Sequence, residues 1–128
     1  MKTNFDLVED FMRAFDQDVL KYVDLRDEDT RQLRVDLIAE ELDELRDALA
    51  VSDPVEVADA LADLLYVVYG AGHAFGIDLD DCFVEVHASN MSKLGPDGKP
   101  MKRPDGKVMK GPDFFEPELY PFLNFRYE

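Results

Sequence analysis

Four carboxylates in the middle of the sequence have a spacing that suits a metal site. Glu41 and Glu44 are three residues apart, and Asp59 and Asp63 are four apart, so each pair shares one face of a helix. Asp59 and Asp63 are the only charged residues between positions 57 and 77. Because buried like charges repel unless a cation lies between them, and all-oxygen ligation selects hard cations, these four residues predict a Mg²⁺ site, with Mn²⁺ as an alternative.

Three alternatives to a Mg²⁺ site exist for these acids, and the third is disfavoured. An arginine could neutralise them, and the second predicted helix offers Arg34 and Arg46. The run from Glu40 to Glu44 could instead be a solvated acidic face. A di-iron carboxylate site would need Glu-x-x-His pairs, and His73 and His87 are not so spaced. Glu40, one turn before Glu44, is predicted to be a helper that activates water.

The apolar periodicity predicts four helices that would position these groups. Asp53-Pro54-Val55-Glu56 predicts the start of the third helix, with Asp53 as N-cap, proline in the first helical position and Glu56 completing a capping box. The short connection at 50–53 favours antiparallel packing of the second and third helices. The predicted helices run from Asn4 to about Val23, from about Leu33 to Val51, from Pro54 to Phe75 or Gly76, and from about Leu79 to Leu94.

The predicted fold class is therefore all-α, a four-helix bundle in a single domain over 1–128, with a helical core at about 4–95. A basic, turn-rich tail at about 96–128 contains an imperfect eight-residue repeat, Gly95–Lys102 followed by Arg103–Lys110. Each copy holds a Pro-Asp-Gly turn signal. The aromatic residues that follow are expected to pack on the domain or on a second subunit: Phe114, Phe115, Tyr120, Phe122, Phe125 and Tyr127.

The composition limits the partners and the compartment. The formal net charge of −15 would repel nucleic acid and anionic membranes, so neither is an expected partner. Residues 93–110 nevertheless hold six of the fourteen Lys and Arg. The N-terminus has no continuous apolar region that would predict a signal peptide or anchor. A single cysteine, Cys82, is interpreted as a core residue and agrees with a reducing compartment, so a cytoplasmic protein is expected.

Three motifs in order resemble those of the all-alpha nucleotide pyrophosphohydrolases, the superfamily of MazG, phosphoribosyl-ATP pyrophosphohydrolase and the dimeric dUTPases. Glu40–Glu44 matches the Glu-Glu-x-x-Glu motif, and Ala62–Tyr66 is similar to the helix of the second motif. Segments 87–95 and 110–115 resemble the downstream part of the phosphoribosyl-ATP pyrophosphohydrolase-like branch. The second motif reads Glu-x-x-Asp in the family, but Ala60 stands in place of the glutamate, so Glu56 competes with Asp59 as a ligand.

The resemblance implies hydrolysis of a nucleoside or deoxynucleoside triphosphate to the monophosphate and pyrophosphate. Mg²⁺ would be held by Glu41, Glu44, Asp59 and Asp63, and Glu40 or Glu44 would take the proton of the attacking water. The family pattern implies a homodimer or homotetramer. Substrate contacts are predicted for Asn90, Lys93, Arg103, Lys107, Lys110 and Tyr66.

Each of these contact residues could instead have a purely structural role. Asn90 and Lys93 could be an ordinary helix end, and the later basic residues a solvated loop. Tyr66, with Phe11 or Phe15, could stack on a base or simply pack in the core. The alternative for the whole chain is a non-enzymatic helical regulatory or binding module whose acids only keep it in solution.

Overall fold

The computed structural model describes residues 1–125, so Tyr127 lies outside the described residues. The predicted all-α class is confirmed, because this part of the chain holds four α-helices and no strand. It divides into two compact units, the first built from Met1–Leu79 with Asn124 and Phe125, the second from Asp80–Leu123. The helices are α1 (Asn4–Ala14), α2 (Glu28–Ala50), α3 (Pro54–Phe75) and α4 (Leu79–Met91), followed by a 3-10 turn, Tyr120–Phe122.

The first three helices each begin at a side chain that accepts hydrogen bonds from free backbone N–H groups. Thr3 and Asp6 form a reciprocal capping box at α1, and Asp27 accepts the N–H of Thr30 at 2.7 Å. Asp53 accepts the N–H groups of Val55 and Glu56, which confirms it as the N-cap of α3. These bonds satisfy donors that the helix itself leaves without partners.

The predicted extension of the first helix to Val23 is wrong, since α1 ends at Ala14. Asp16 adopts a left-handed φ of 58°, and Gln17 N–H donates to Met12 O at 2.8 Å, which closes the helix end. The chain then runs past the C-terminus of α3, where the N–H groups of Leu20 and Asp24 donate to carbonyls of α3. The other helix ends differ by a few residues: α2 begins earlier, and α4 ends three residues before Leu94.

Gly76 allows this crossing. It terminates α3 with a φ of 69°, and a Cβ built there would lie 1.9 Å from the carbonyl oxygen of Tyr22. Only a glycine fits both the left-handed backbone and the close approach of the connection.

Gly76→Ala is expected to lower the free energy of unfolding by about 3 kcal/mol, because the alanine is strained and also displaces the connection. Gly98→Ala is the matched control, since Gly98 has a φ of 75° but nothing within 4 Å of a built Cβ. It should cost only about 1 kcal/mol. Urea unfolding followed by circular dichroism measures both, and equal losses would contradict the role of the crossing.

In the first unit, α2 and α3 pack along each other and α1 packs on α3. The direction is antiparallel, because Arg34 lies against Gly70 whereas Ala48 and Ala60 line one cleft further along. The buried residues of α2 and α3 are mostly small, which permits close approach of the backbones. Although α3 carries few charged residues, it is not buried on all faces, because Leu61, Leu65 and Val68 are exposed.

The second unit contains the repeat. Gly98 N–H donates to Gly95 O, and Gly106 N–H donates to Arg103 O, so each Pro-Asp-Gly forms the predicted reverse turn. A single antiparallel bridge joins Lys102 to Val108. Ser89 and Ser92 of the α4 region bond to the backbone of Phe115, which fixes the segment after the turns.

Cys82 is buried and forms no disulfide, in agreement with its interpretation as a core residue.

No single helix among residues 1–125 has the length and apolar composition of a membrane span. Pro54–Phe75 and Leu79–Met91 meet that criterion only when taken together as a bent pair.

Candidate active site

Three carboxylates converge between α2 and α3. Glu41 and Glu44 of α2 and Asp63 of α3 each place an oxygen within 4.8 Å of the others. The antiparallel packing produces this arrangement, because it brings the middle of α2 opposite the middle of α3. The three residues are those in which the helical spacing and the motif resemblance agree.

The cluster is electrostatically unfavourable as it stands. Glu41 is partly buried, and its Oε2 atom is inaccessible to solvent and accepts no hydrogen bond. Burial, followed by the neighbouring carboxyls of Glu44, Asp63 and Glu40, raises the pKa of Glu41. Burial also raises the pKa of Asp63, with the charges of Asp59 and Glu44 adding to the effect. Such a group of acceptors without donors is suited to a bound cation.

No arginine or lysine among the described residues neutralises the three carboxylates. Arg46, on the outer side of α2, pairs with Asp43 at 3.1 Å. Arg34 lies against Gly70, two helical turns along α2 from Glu41. The arginine partner left open by the sequence is therefore not found among the described residues, whereas the three carboxylates could hold a metal ion.

Both candidates for a fourth ligand lie next to the cluster. Asp59 and Glu56 line a cleft of about 410 Å³ together with Glu44. The predicted capping box is not complete, because Asp53 N–H donates to Ala48 O rather than to the carboxylate of Glu56. Glu56 is thus free of the capping role that its place in the sequence predicts. The assignment of Asp59 as a ligand stays a prediction, with Glu56 as its competitor.

The remaining groups of the first unit flank the cluster. Glu40 is exposed and close enough for its charge to raise the pKa of Glu41. Tyr66, one turn after Asp63, meets Phe11 edge to face with ring centres 5.5 Å apart. Phe11 in turn contacts Phe15 at 4.5 Å. All three rings are more than a third exposed, so they form a partly open aromatic surface rather than a closed core.

The other predicted substrate contacts belong to the second unit. Asn90 is exposed near the end of α4, and Lys93 follows it. The guanidinium of Arg103 pairs with Asp105 at 2.7 Å. Lys110 pairs with Glu116 at 3.6 Å and lies over the ring of Phe114. The side chain of Lys107 makes no ion pair with a described residue. The roles of all five stay predictions.

Comparison with known proteins identifies the family. Residues 8–90 match the family described as phosphoribosyl-ATP pyrophosphohydrolase. This chain belongs to that family. The matched segment contains the four predicted metal ligands, and it also contains Glu40, Tyr66 and Asn90. The match confirms the resemblance to this family that the sequence motifs indicated. The family takes its name from a nucleotide pyrophosphohydrolase, and its members typically use a divalent metal.

One curated relative comes from Acanthamoeba polyphaga mimivirus, where it is an uncharacterized protein. It is 44% identical over an alignment of 82 residues, which covers 61% of this chain and 33% of the relative. The chain thus spans about a third of the length of that relative. The shared segment supports the family assignment, and it says nothing of the rest of the viral protein.

Two residues next to the cluster gain importance only in the structure. Glu56 is released from helix capping, and Arg34, which pairs with no described residue, lies on the α2 stripe that also carries Glu41. The sequence held a signal for Arg34, because a separation of seven residues on a helix returns to nearly the same face. The sequence showed no sign that Arg34 would lack an acidic partner among the described residues, because ion pairing depends on how the three helices pack.

Proposed function

We propose that this protein is a Mg²⁺-dependent nucleoside triphosphate pyrophosphohydrolase. Water would add to a phosphorus atom of the α–β anhydride, the bridging P–O bond would break, and the monophosphate and pyrophosphate would leave. The observation that supports this most directly is the convergence of Glu41, Glu44 and Asp63 within 4.8 Å, with no neutralising side chain among the described residues. The family assignment supports the reaction class.

The residues present fit a hard divalent cation. Carboxylate oxygens are the ligands Mg²⁺ and Mn²⁺ prefer, and the Oε2 atom of Glu41 is buried without a hydrogen-bond donor. Glu41, Glu44 and Asp63 would hold the ion, with Asp59 or Glu56 as the fourth carboxylate. When bound, the ion would supply neutralisation of phosphate charge and a water of lowered pKa.

Two exposed carboxylates, Glu40 and Glu44, are the candidates for proton transfer. Glu40 is the better candidate for the general base, because it lies outside the cluster and its oxygens are not needed as ligands. Glu44 is the alternative. Tyr66 would stack on the base, and Asn90, Lys93, Arg103, Lys107 and Lys110 would contact the sugar and phosphates. No covalent nucleophile is required.

We also propose a homodimer or homotetramer. Helices α2 and α3 leave large apolar side chains exposed, among them Leu49, Leu61 and Leu65, which are 57%, 47% and 53% accessible. A second copy of the chain would cover them. Sedimentation equilibrium should give a dimer or larger, and a monomer at high micromolar concentration would contradict the proposal. The absence of nucleic-acid and membrane partners and the cytoplasmic location stay predictions.

A pyrophosphate-release assay tests the activity. The panel contains the ribo- and deoxynucleoside triphosphates, phosphoribosyl-ATP and two nucleoside diphosphates, each with Mg²⁺ and with chelator. At least one triphosphate compound should yield pyrophosphate and a monophosphate in equal amounts, only with the metal. If none is hydrolysed and the protein takes up no divalent ion, the chain is a non-enzymatic module and the proposal fails.

A further inference from the structure

Arg34 has an environment that is unusual for an arginine. Its side chain is partly buried, and its Nε atom is inaccessible to solvent and donates no hydrogen bond. Its guanidinium makes no ion pair with any described residue. Burial lowers the pKa of Arg34, and no neighbouring carboxylate acts in the opposite direction. A desolvated guanidinium without an anion is costly. This environment therefore suits an anion that none of the described residues supplies.

The helix opposite leaves room for this side chain. A Cβ built at Gly70 would lie 2.9 Å from Nη1 of Arg34, so the guanidinium occupies the space that a larger residue would fill. Gly70 is buried inside α3, where glycine is less favourable than alanine. A methyl group at this position would have to shift the flexible end of the Arg34 side chain.

Arg34 also lines a cleft of about 540 Å³, and none of the other charged residues of this cleft pairs with it. Arg26 and Asp18, which line the same cleft, pair with each other at 3.2 Å. Asp16, the remaining charged residue of the lining, forms no ion pair with Arg34. Arg34 is therefore the cation in this cleft that is available to an anion from solution.

The position relative to the carboxylate cluster suggests which anion this is. Arg34 precedes Glu41 by seven residues, and Gly70 follows Asp63 by seven, so the arginine lies on the same face of the helix pair. The separation along the axis is about 10 Å. At this distance, Arg34 and Glu41 can both reach a single extended polyphosphate. Glu41 would do so through a metal ion and Arg34 directly.

We propose that Arg34 binds the phosphate farthest from the metal, at the end of the pyrophosphate leaving group. This rests on the proposed function and sharpens it, because Arg34 then selects substrates with a triphosphate over those with a diphosphate. The guanidinium donates two parallel N–H bonds to phosphate oxygens, and the anion supplies the partner that the protein does not.

Arg34→Gln tests the proposal, with Arg46→Gln as the control that removes the same charge from an exposed site on the same helix. Calorimetry measures binding of inorganic pyrophosphate with Mg²⁺, and steady-state kinetics use the best triphosphate of the panel. Arg34→Gln should weaken pyrophosphate binding and raise KM about 10- to 100-fold. Binding of the nucleoside monophosphate should not change. Arg46→Gln should stay within about twofold of the parent in each measurement.

Stability provides a readout that separates a binding role from a structural one. Removing an unpaired, desolvated cation should leave the melting temperature of Arg34→Gln unchanged or raise it. A structural arginine would show a lower melting temperature with unaltered pyrophosphate affinity, and that result would overturn the proposal.

Gly70→Ala provides a second route that keeps the arginine. The new methyl group would push the guanidinium aside, while alanine favours the helix. Pyrophosphate binding should weaken, and Gly70→Ala should add nothing in the Arg34→Gln background. If the parent enzyme hydrolyses triphosphates but both variants bind pyrophosphate normally, this inference alone is wrong. If the parent neither binds pyrophosphate nor hydrolyses any triphosphate, both proposals fall.

Discussion

Asp63→Asn is expected to reduce pyrophosphate release on the order of 1,000-fold, because a weakened metal site forfeits several kcal/mol of transition-state stabilisation. The fold should be retained, since asparagine has nearly the same shape as aspartate. Replacing the carboxylate also removes a like charge from beside Glu44 and Asp59, both of which raise the pKa of Asp63. Without metal, the variant should therefore be at least as stable at neutral pH as the parent.

Asp43→Asn is the matched control. Asp43 lies on the same acidic run, is exposed, and pairs only with Arg46 among the described residues. Its substitution should change turnover by less than about twofold. Turnover and circular dichroism of both variants check the prediction. Full activity in Asp63→Asn would remove Asp63 from the ligand set, and equal losses in both variants would point to net charge rather than to a site.

Divalent metal should control both activity and stability. Chelation is expected to abolish turnover, and readdition of Mg²⁺ should restore it. Because a ligand that binds only the folded state stabilises it, Mg²⁺ at 100 times its Kd would raise the free energy of unfolding by about 2.7 kcal/mol. Differential scanning calorimetry with and without Mg²⁺ measures this gain. Sodium chloride at the same ionic strength is the control.

The metal effect should depend on pH in a defined direction. The pKa values of Glu41 and Asp63 are raised in the folded chain, so the folded state binds their protons more tightly than the unfolded state does. The ordinary pKa of a carboxyl group is about 4. The contribution of these two groups to the stability of the metal-free protein is therefore greatest below that pH, and it declines as the pH rises through their raised pKa values.

Stabilisation by Mg²⁺ should show the opposite trend and grow over the same interval, because the ion competes with protons for the carboxylates. The gain should be much smaller in Asp63→Asn. A gain that is independent of pH, or equally large in this variant, would contradict binding at the cluster.

Much of the candidate site could be predicted because its determinants are local. Spacings of three and four residues place side chains on one helical face whatever the surroundings. Asp53 followed by proline specifies the start of α3, and Pro-Asp-Gly specifies each turn of the repeat. Glu41, Glu44 and Asp63 were thus accessible from periodicity together with the family motifs.

The errors arise where a distant segment supplies the deciding interaction. The apolar spacing continues past Ala14, but the helix ends there, and the N–H groups of Leu20 and Asp24 bond to the end of α3 instead. The pattern cannot reveal this, since Leu20 and Val23 are apolar whether they continue a helix or cover another one. Glu56 likewise fits a capping box by its letters, yet Asp53 N–H finds a backbone partner in Ala48.

The sequence by itself therefore determined the all-α class, the two central helices, the carboxylates that they carry and the family. Tertiary structure decided which carboxylates meet, that no basic side chain among the described residues neutralises them, and that Arg34 lies desolvated against Gly70. The physical reason is the range of the interactions. Helix periodicity and capping act between neighbours in the chain, whereas burial and ion pairing depend on groups that only the packing of α1, α2 and α3 brings together.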